Sequence, residues 1–394
     1  MTLPPQRWLV ALTEYAGVTA YTGGIGTHFA SLLPAVADLG IEVDLVLFSD
    51  DDLAPRVIHG VTLVAHHRLH RMPPWAQLLL RPVLLRRQFR SRRYDRVFLP
   101  EWGGIAAALP ASAPLVTNLA TGIRLGDWIA GRDHRAYPRG RRLARRIQDH
   151  LETRQITRSR GVVSISRAVL DWNASNVAGL PQSSIVRNCV DVAAVRDAVV
   201  DLPESAGPSA APVILFIGRL ERRKGVLPTM RAFAELLREH PSARLLLAGS
   251  SGDSRFEPSR QQLLAFVPEQ HRQQVRFLGH LESEELFREV RSATVALCPS
   301  LWEGFGNVAL EVKAAGSPLV VTTGSGFDDF CTDGVDCLMV APDDAPALAD
   351  AVSRIIASPD LAETLVRGGQ ASVEAFQPAS VAPDLVAAVE RLGA

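Results

Sequence analysis

The segment Pro299–Pro318, PSLWEGFGNVALEVKAAGSP, holds the densest set of residues suited to chemistry. It follows a predicted strand and begins a predicted helix over 307–316. This pattern contains two carboxylates eight residues apart. It places Glu303 in the turn and Glu311 about one turn into the helix. Carboxylates accept hydrogen bonds from hydroxyl groups, so this pair indicates a polyhydroxylated ligand.

The same turn is rich in groups that could bind an anion. Gly304 and Gly306 let the backbone approach a ligand closely. The N–H groups at the helix start, from Phe305 through Asn307, lack partners within the helix and face the positive end of its dipole. Donors for phosphate beside two carboxylates fit a nucleotide-sugar, in which a diphosphate separates two polyols. The alternative is that both Glu side chains are merely solvated.

A second segment, Gly218–Gly225 (GRLERRKG), follows the first predicted strand of the C-terminal half. Arg219 can present a fork of donors to phosphate oxygens, and Lys224 adds a compact charge. Lys is rare here, since the 42 basic residues comprise 40 Arg and two Lys. The other Lys, Lys313, is predicted to face solvent.

A third segment, Tyr21–His28 (YTGGIGTH), follows the first predicted strand of the chain. Gly23 and Gly24 would let backbone amides approach a ligand at a helix start. The third glycine of the G-x-G-x-x-G dinucleotide fingerprint is absent, because Phe29 occupies its position. This weakens, without removing, the alternative of a nicotinamide-dependent dehydrogenase.

The elements that must position these segments alternate along the chain. Short apolar runs bounded by turn residues are separated by helical patterns, which is typical of parallel α/β layers. We predict two Rossmann-like, doubly wound lobes facing a central cleft, with ligands beyond the carboxyl ends of the strands. The predicted domains are an N-terminal lobe at 1–200, a linker at 201–212 (DLPESAGPSAAP), a second lobe at 213–375 and a terminal helix at 376–394.

Composition excludes several classes of protein. The chain has 394 residues, 47% hydrophobic and 21% charged, which fits a globular protein and not a disordered one. No apolar run reaches the length of a membrane helix, and no signal peptide is recognisable. The four cysteines form no C-x-x-C pair and are predicted to be unpaired thiols of a reducing compartment. We therefore expect a cytoplasmic protein.

Zero net charge conceals an uneven distribution. Residues 66–160 contain 20 Arg against six acidic residues. The stretch Leu78–Arg93 (LLLRPVLLRRQFRSRR) mixes apolar residues with Arg, so a helix there could lie on an anionic membrane face, peripherally at the inner membrane. A solvated basic helix is the alternative. No nucleic-acid motif accompanies the charge, and we expect no nucleic-acid partner.

Together the three segments resemble the retaining glycosyltransferases of family four, which have the GT-B fold. The matching motifs are the G-G loop, the G-R-x-x-x-x-K-G stretch at 218–225 and the E-x-x-F-G-x-x-x-x-E stretch at 303–311. In this sequence the third motif has seven residues between its two Glu residues. The resemblance implies transfer of a sugar from a nucleoside-diphosphate sugar to an acceptor hydroxyl. It implies that the lobe at 1–200 binds the acceptor, that the lobe at 213–375 binds the donor and that the helix at 376–394 crosses back to the first lobe. It implies diphosphate contacts from Arg219, Lys224 and the G-G loop. It also implies sugar contacts from Glu303 and ribose contacts from Glu311, with Arg219, Lys224 and Glu303 as the catalytic set.

One departure from the family pattern concerns the first lobe. Family members commonly carry a His near the sugar, where Pro114–Gly122 (PLVTNLATG) places Leu119 or Ala120. Candidate acceptor contacts are His28, Glu101, Trp102, Asn118 and Asp127.

No metal site and no permanently bound cofactor is predicted, because Asp50–Asp52 (DDD) and the pair His66 and His70 lack convincing further ligands. We expect the nucleotide-sugar to be a co-substrate. We expect the acceptor to be a small natural-product molecule or a lipid-linked glycan. A nucleotide-sugar epimerase of the same fold and a non-catalytic nucleotide-sugar-binding homologue remain as alternatives.

Overall fold

The computed structural model describes residues 6–132, 137–202 and 211–393. Chain contacts divide it into two units, Met1–Cys189 with Pro378–Ala394, and Val190–Gln377. The predicted domain boundary at residue 200 differs from this division, because the short helix that follows Cys189 packs within the second unit against the helix after Gly306. Residues 203–210 of the predicted linker lie outside the described residues.

The first unit is built on an eight-stranded sheet among its described residues. Its strands are β1 Arg7–Leu12, β2 Glu42–Leu47, β3 Arg56–Ile58, β4 Val61–His66, β5 Arg96–Pro100, β6 Leu115–Leu119, β7 Gly161–Ser164 and β8 Gln182–Ile185. Their order is β3-β4-β2-β1-β5-β6-β7-β8, with every pair parallel except β3 and β4.

Helices cover this sheet. They are α1 Gly24–Asp38, α2 Pro74–Ser91, α3 Ile123–Ile129, α4 Arg139–Arg158 and α5 Arg167–Asn176, joined by α13 Pro378–Gly393 from the end of the chain. Residues Val381, Leu385 and Val389 of α13 are buried in the core that β1 and α1 share. Their spacing of four residues places them on one helical face, which explains why this helix docks there.

The second unit has a six-stranded, all-parallel sheet among its described residues, in the order β11-β10-β9-β12-β13-β14. The strands are β9 Val213–Ile217, β10 Arg244–Ala248, β11 Val275–Gly279, β12 Val295–Cys298, β13 Leu319–Thr322 and β14 Leu338–Val340. The helices are α6 Val192–Asp197, α7 Val226–Leu236, α8 Arg260–Leu264, α9 Ser283–Ser292, α10 Asn307–Ala315, α11 Ala345–Ala357 and α12 Pro359–Ser372.

The central strands are mainly apolar and buried, because both faces of each sheet are covered. Strand β9 reads VILFI and is buried from Ile214 to Ile217, as expected for parallel sheets. This continuous apolarity is what the sequence pattern detected, and the predicted parallel α/β architecture is confirmed. Among the described residues, no helix is both long and apolar enough to cross a membrane.

Candidate functional site

The carboxyl end of β9 leads into a loop organised by a buried carboxylate. Glu221 is only 2% exposed at its side chain. It forms ion pairs with Arg219, whose Nη1 lies 2.9 Å from Glu221 Oε1, and with Arg223, whose Nε lies 2.7 Å from Glu221 Oε2. Arg219 itself remains 55% exposed, so its guanidinium is held by one edge and open to solvent elsewhere. Glu221 was not predicted, although it is the one acidic residue among the four basic residues of GRLERRKG.

This loop lies directly against the turn that follows β12. Gly225 has φ of 78°, and a Cβ atom there would stand 1.8 Å from the carbonyl oxygen of Pro299. The amide of Leu301 donates to the carbonyl of Arg223 at 2.8 Å. Only glycine permits this left-handed backbone and close approach, so Gly225 joins the two sequence motifs into one site.

The two motifs meet chemically in an ion pair. Lys224 Nζ donates to Glu303 Oε2 at 2.5 Å, and Ser300 Oγ donates to the same oxygen at 3.0 Å. Burial acts to raise the pKa of Glu303, but the charges of Lys224 and Arg223 and these hydrogen bonds outweigh it. The pKa of Glu303 therefore lies below its usual value, and the group is a carboxylate at neutral pH.

The turn after Glu303 is shaped by close packing of its glycines. Gly306 has φ of 101°, and a Cβ atom there would lie 2.3 Å from the ring of Phe327. Gly304 approaches Gly326, where a Cβ would meet the Gly304 carbonyl oxygen at 2.3 Å. Helix α10 then begins at Asn307, in the turn that follows Glu303, and its N-cap residue Gly306 makes no side-chain hydrogen bond. The positive end of its dipole therefore lies at this turn.

The side chain of Phe305 belongs to the core. It is buried and packs its ring 4.7 Å from that of Phe330 and 6.4 Å from that of Phe376. Only the backbone of Phe305 is available for the predicted ligand contact. The predicted backbone anion site therefore rests on a rigid aromatic cluster.

Glu311 lies one turn along α10 and is half-buried. Burial raises the pKa of its carboxyl group to about 7. Among the residues that the structure describes, no donor contacts this carboxyl group. Burial alone brings the pKa of Glu311 near neutral pH. Hydrogen bonds from ligand hydroxyl groups would stabilise the charged form of this carboxyl group, so Glu311 is suited to accept them.

Lys313 was predicted to face solvent, and this prediction is wrong. Its side chain is 1% exposed. Its Nζ donates to the carbonyl of Phe330 at 2.8 Å and lies 3.0 Å from Asp336 Oδ2. The position of Lys313 along α10 did not reveal its burial, because the turn that carries Asp336 covers this face of the helix.

The third glycine motif, in the first unit, faces an acidic side chain. Gly23 precedes α1 and Gly24 begins it. Glu14 Oε1 accepts the amide of Gly26 at 2.8 Å, and a Cβ atom on Gly23 would lie 3.1 Å from the same oxygen. The Glu14 carboxylate therefore already accepts a hydrogen bond from one of the amides at the start of α1. Sequence spacing did not point to Glu14.

The candidate acceptor residues of the first unit are mostly buried. His28 is 6% exposed, its Nδ1 accepts the amide of Cys189 at 3.4 Å, and burial lowers its pKa to about 4. Asp127 is buried and accepts from Arg145 Nε at 3.1 Å. Asn118 donates to the carbonyl of Val163 at 3.2 Å.

Glu101 supports the loop after β6 from within. Both of its carboxyl oxygens accept the amide of Ala120, at 3.0 and 2.9 Å, and burial raises its pKa to about 7. Glu152 of α4 holds the same loop by accepting from Ile123 N at 2.6 Å. Burial raises the pKa of Glu152 to about 8. The neighbouring Trp102 is half-buried.

Glu152 was missed because it reads as one acid in an Arg-rich helix. The position where family members carry His is filled by the buried backbone and side chain of Ala120 or Leu119. Whether any of these first-unit groups touches an acceptor remains a prediction.

The cysteines are free and buried, as predicted. One group of potential metal ligands lies together among the described residues: Cys331, Asp336 and Cys337, whose ligand atoms are within 4.8 Å of one another. Both oxygens of Asp336 are already engaged, Oδ1 by the amide of Thr332 at 2.9 Å and Oδ2 by Lys313.

Comparison with known proteins agrees with this geometry. A model described as "Glycosyltransferase Family 4" matches residues 22–194, and one described as "Glycosyl transferases group 1" matches residues 211–358. The chain is 28% identical to a glycogen synthase of Mycobacterium tuberculosis, over 92% of this chain and 89% of that protein.

Solved structures share the fold. A sucrose-phosphate synthase from Thermosynechococcus elongatus superposes with a TM-score of 0.76 at 22% identity, covering 98% of this chain and 99% of that one. An Anabaena protein, HepE, solved in complex with UDP-glucose, gives a TM-score of 0.67 at 15% identity, covering 98% and 99%. These matches argue against a nicotinamide-dependent dehydrogenase. The chain belongs to the family-four glycosyltransferases and has the GT-B fold.

Proposed function

We propose that this glycosyltransferase takes a sugar from a nucleoside-diphosphate sugar and transfers it, with retention of anomeric configuration, to an acceptor hydroxyl. The observation that carries the proposal is the cluster of Arg219, Lys224, Glu303 and the start of α10 in the second unit. It combines two cations, a helix dipole and an ionised carboxylate. The complex of HepE with UDP-glucose supports a donor of this class.

Each group has a role suited to its surroundings. Arg219 and Lys224 would hold the diphosphate and stabilise the negative charge that grows on it as it departs. Glu303, kept ionised by Lys224, would accept hydrogen bonds from the donor sugar. Glu311 would accept from the ribose hydroxyls. Removing one hydrogen-bond donor that stabilises charge in this way lowers the rate by roughly 10²–10³-fold.

The bond changes balance without a protein nucleophile. The bond between the anomeric carbon and the phosphate oxygen breaks, and a bond to the acceptor oxygen forms on the same face of the sugar. The acceptor proton passes to the departing phosphate oxygen. The protein contributes position and charge stabilisation to this step.

The test begins with the donor, since it can be found without knowing the acceptor. Nucleoside diphosphates and their sugars are screened by thermal shift, where a specific ligand raises the melting temperature through linkage. Turnover of the best donor is then followed as nucleoside-diphosphate release with candidate acceptors. Proton NMR coupling of the product distinguishes retention from inversion.

Substitution of Lys224 by Ala tests the site. We expect weaker donor binding and a rate lower by roughly 10²-fold or more. Arg222→Ala is the matched control, because Arg222 is an exposed cation two residues away in the same loop. If K224A retains both donor affinity and rate, the phosphate role is wrong.

The two alternatives give distinct results in the same assay. An epimerase converts the donor into an isomer with no acceptor present. A non-catalytic homologue binds the donor and releases no nucleoside diphosphate with any acceptor.

A further inference from the structure

Helix α2 of the first unit exposes an apolar stripe. Trp75, Leu79 and Val83 are 43%, 46% and 55% exposed. Their spacing of four residues places them on one face of the helix. The buried Leu78, Pro82 and Leu85 form the adjoining face, which packs on the rest of the unit. About half of each stripe side chain is exposed, so the helix presents a partly exposed apolar edge beside its buried face.

The same helix continues into cations. Helix α2 contains four Arg and no acidic residue, and its neighbour α4 contains seven Arg and two acidic residues. Arg87 and Arg90 of α2 and Arg154 and Arg158 of α4 are exposed. None of these four forms an ion pair with any residue that the structure describes. The apolar stripe therefore adjoins a field of uncompensated positive charge.

A cavity of about 410 Å³ opens between the two helices. Leu79 and Leu151 line its apolar part, and Arg86, Arg154 and Arg158 line its polar part. Arg86 Nη1 donates to the carbonyl of Ala108 at 3.3 Å. Arg86 Nε is buried and has no hydrogen-bond partner among the described atoms.

The cavity therefore places two exposed guanidinium groups, those of Arg154 and Arg158, beside an apolar wall. Its volume is more than ten times the ~30 Å³ that one water occupies in the liquid. It can thus accept a group larger than a single phosphate ion.

From these contacts we propose that the α2–α4 face of the first unit, defined by Trp75, Leu79, Val83 and the Arg residues named above, docks on the surface of an anionic phospholipid bilayer. The apolar stripe enters the interface between headgroups and acyl chains, which amphipathic helices reach to a depth of about 5–10 Å. The Arg side chains contact the headgroup phosphates, and the cavity between the helices receives one headgroup.

Charge complementarity favours a bilayer over other polyanions. A nucleic acid would use the Arg side chains but gain little from an exposed apolar stripe, and this face carries few aromatic side chains for stacking. A bilayer uses both features at once. The proposal does not rest on the proposed reaction, since the face lies entirely in the first unit.

The test is sedimentation of the full-length protein with vesicles of phosphatidylcholine alone or of phosphatidylcholine mixed with the anionic lipid phosphatidylglycerol. Binding to the anionic vesicles only, weakening as salt rises, is expected. Each Arg near an anionic surface contributes about fivefold in partitioning. The variant R87Q/R90Q/R154Q/R158Q should therefore lose roughly a hundredfold or more.

A matched control removes charge elsewhere. Arg238, Arg276 and Arg367 are exposed residues of the second unit, and the variant R238Q/R276Q/R367Q should bind the vesicles like the parent. Circular dichroism and the melting temperature verify that each variant is folded. If this control loses as much binding as the α2–α4 variant, the surface is wrongly assigned.

The apolar stripe has its own readout. Tryptophan emission should shift to the blue when anionic vesicles are added, and the variant W75F should lack that part of the shift. The variant L79S/V83S should bind the vesicles less tightly. The proposal is overturned by equal binding to neutral vesicles, by an unchanged affinity of L79S/V83S, or by tighter binding to a short RNA than to the anionic vesicles.

Discussion

Replacing Lys313 by Met should destabilise the second unit by about 3–5 kcal/mol, the usual cost of leaving one partner of a buried ion pair alone. Met keeps much of the aliphatic stem, so the loss reports mainly on the charge. The ammonium group lies 3.0 Å from Asp336 Oδ2, 2.8 Å from the carbonyl of Phe330 and 5.2 Å from the centre of the Phe330 ring. Without it, Asp336 keeps only the amide of Thr332.

The geometry around the stem supports the upper part of this range. A Cβ atom on Gly369 would lie 3.2 Å from Lys313 Cγ, so α12 packs tightly on the stem. Both side chains of the pair are nearly inaccessible, at 1% and 4% exposure. Water therefore cannot easily replace the lost cation.

The assay is equilibrium unfolding in urea followed by far-UV circular dichroism, with hydrogen exchange to assign each transition to its unit. The double variant K313M/D336N removes both charges and should recover part of the loss, giving a coupling energy of about 0.5–3 kcal/mol. Lys224→Met, at the more exposed ion pair, should cost less. A loss below about 1 kcal/mol for K313M, or additive single and double variants, would refute the reasoning.

Three further predictions concern other parts of the fold. Gly225→Ala should destabilise the second unit by at least about 2 kcal/mol, because the left-handed backbone and the contact with Pro299 both oppose a side chain. Gly334→Ala is its control, with φ of 70° and open space, and should cost only about 1–2 kcal/mol in urea unfolding. Leu385→Ala on α13 should destabilise the first unit by about 2–5 kcal/mol, measured by the urea transition that hydrogen exchange assigns to that unit. A loss below 1 kcal/mol would contradict the docking of α13 into that core.

The remaining prediction in this group is a pH dependence. The pKa values of Glu101 and Glu152 are raised to about 7 and about 8 by burial, so the folded state holds protons that the unfolded chain has released. Stability of the first unit should therefore fall as pH rises from about 5 to 8. The variant Glu152→Gln should flatten this profile in urea titrations at several pH values. An unchanged slope would contradict the assignment.

The order and type of most central elements follow from the amino-acid sequence alone. Its apolar runs predict strands at 213–217, 244–248, 295–298 and 319–322, and its helical pattern predicts a helix at 283–292. The structure has each of these elements with the same bounds. Buried parallel strands are continuous apolar runs between turn residues, and that signal is local in the chain. The edge strands β3, β8 and β14 were not predicted, since they are short and partly exposed.

The spacing of motifs also predicted which segments form the candidate site. Arg219, Lys224, Glu303 and Glu311 are brought onto adjacent elements of one unit, because the carboxyl ends of parallel strands share one edge of a sheet. The glycines between them are needed where backbones touch. Local pattern and topology together were enough for this part.

The partners of the buried charges depend on tertiary packing and could not be read from the sequence. Lys313 meets Asp336 across 23 residues of chain, and Glu152 holds the amide of Gly103 across 49. Glu14 reaches the glycine loop from a position that no motif marks. Such pairs depend on which faces pack together, and a charged residue on a helix reads the same in the sequence whether water or a buried acid lies beside it. Burial, and with it the pKa of each group, is a property of packing at long range.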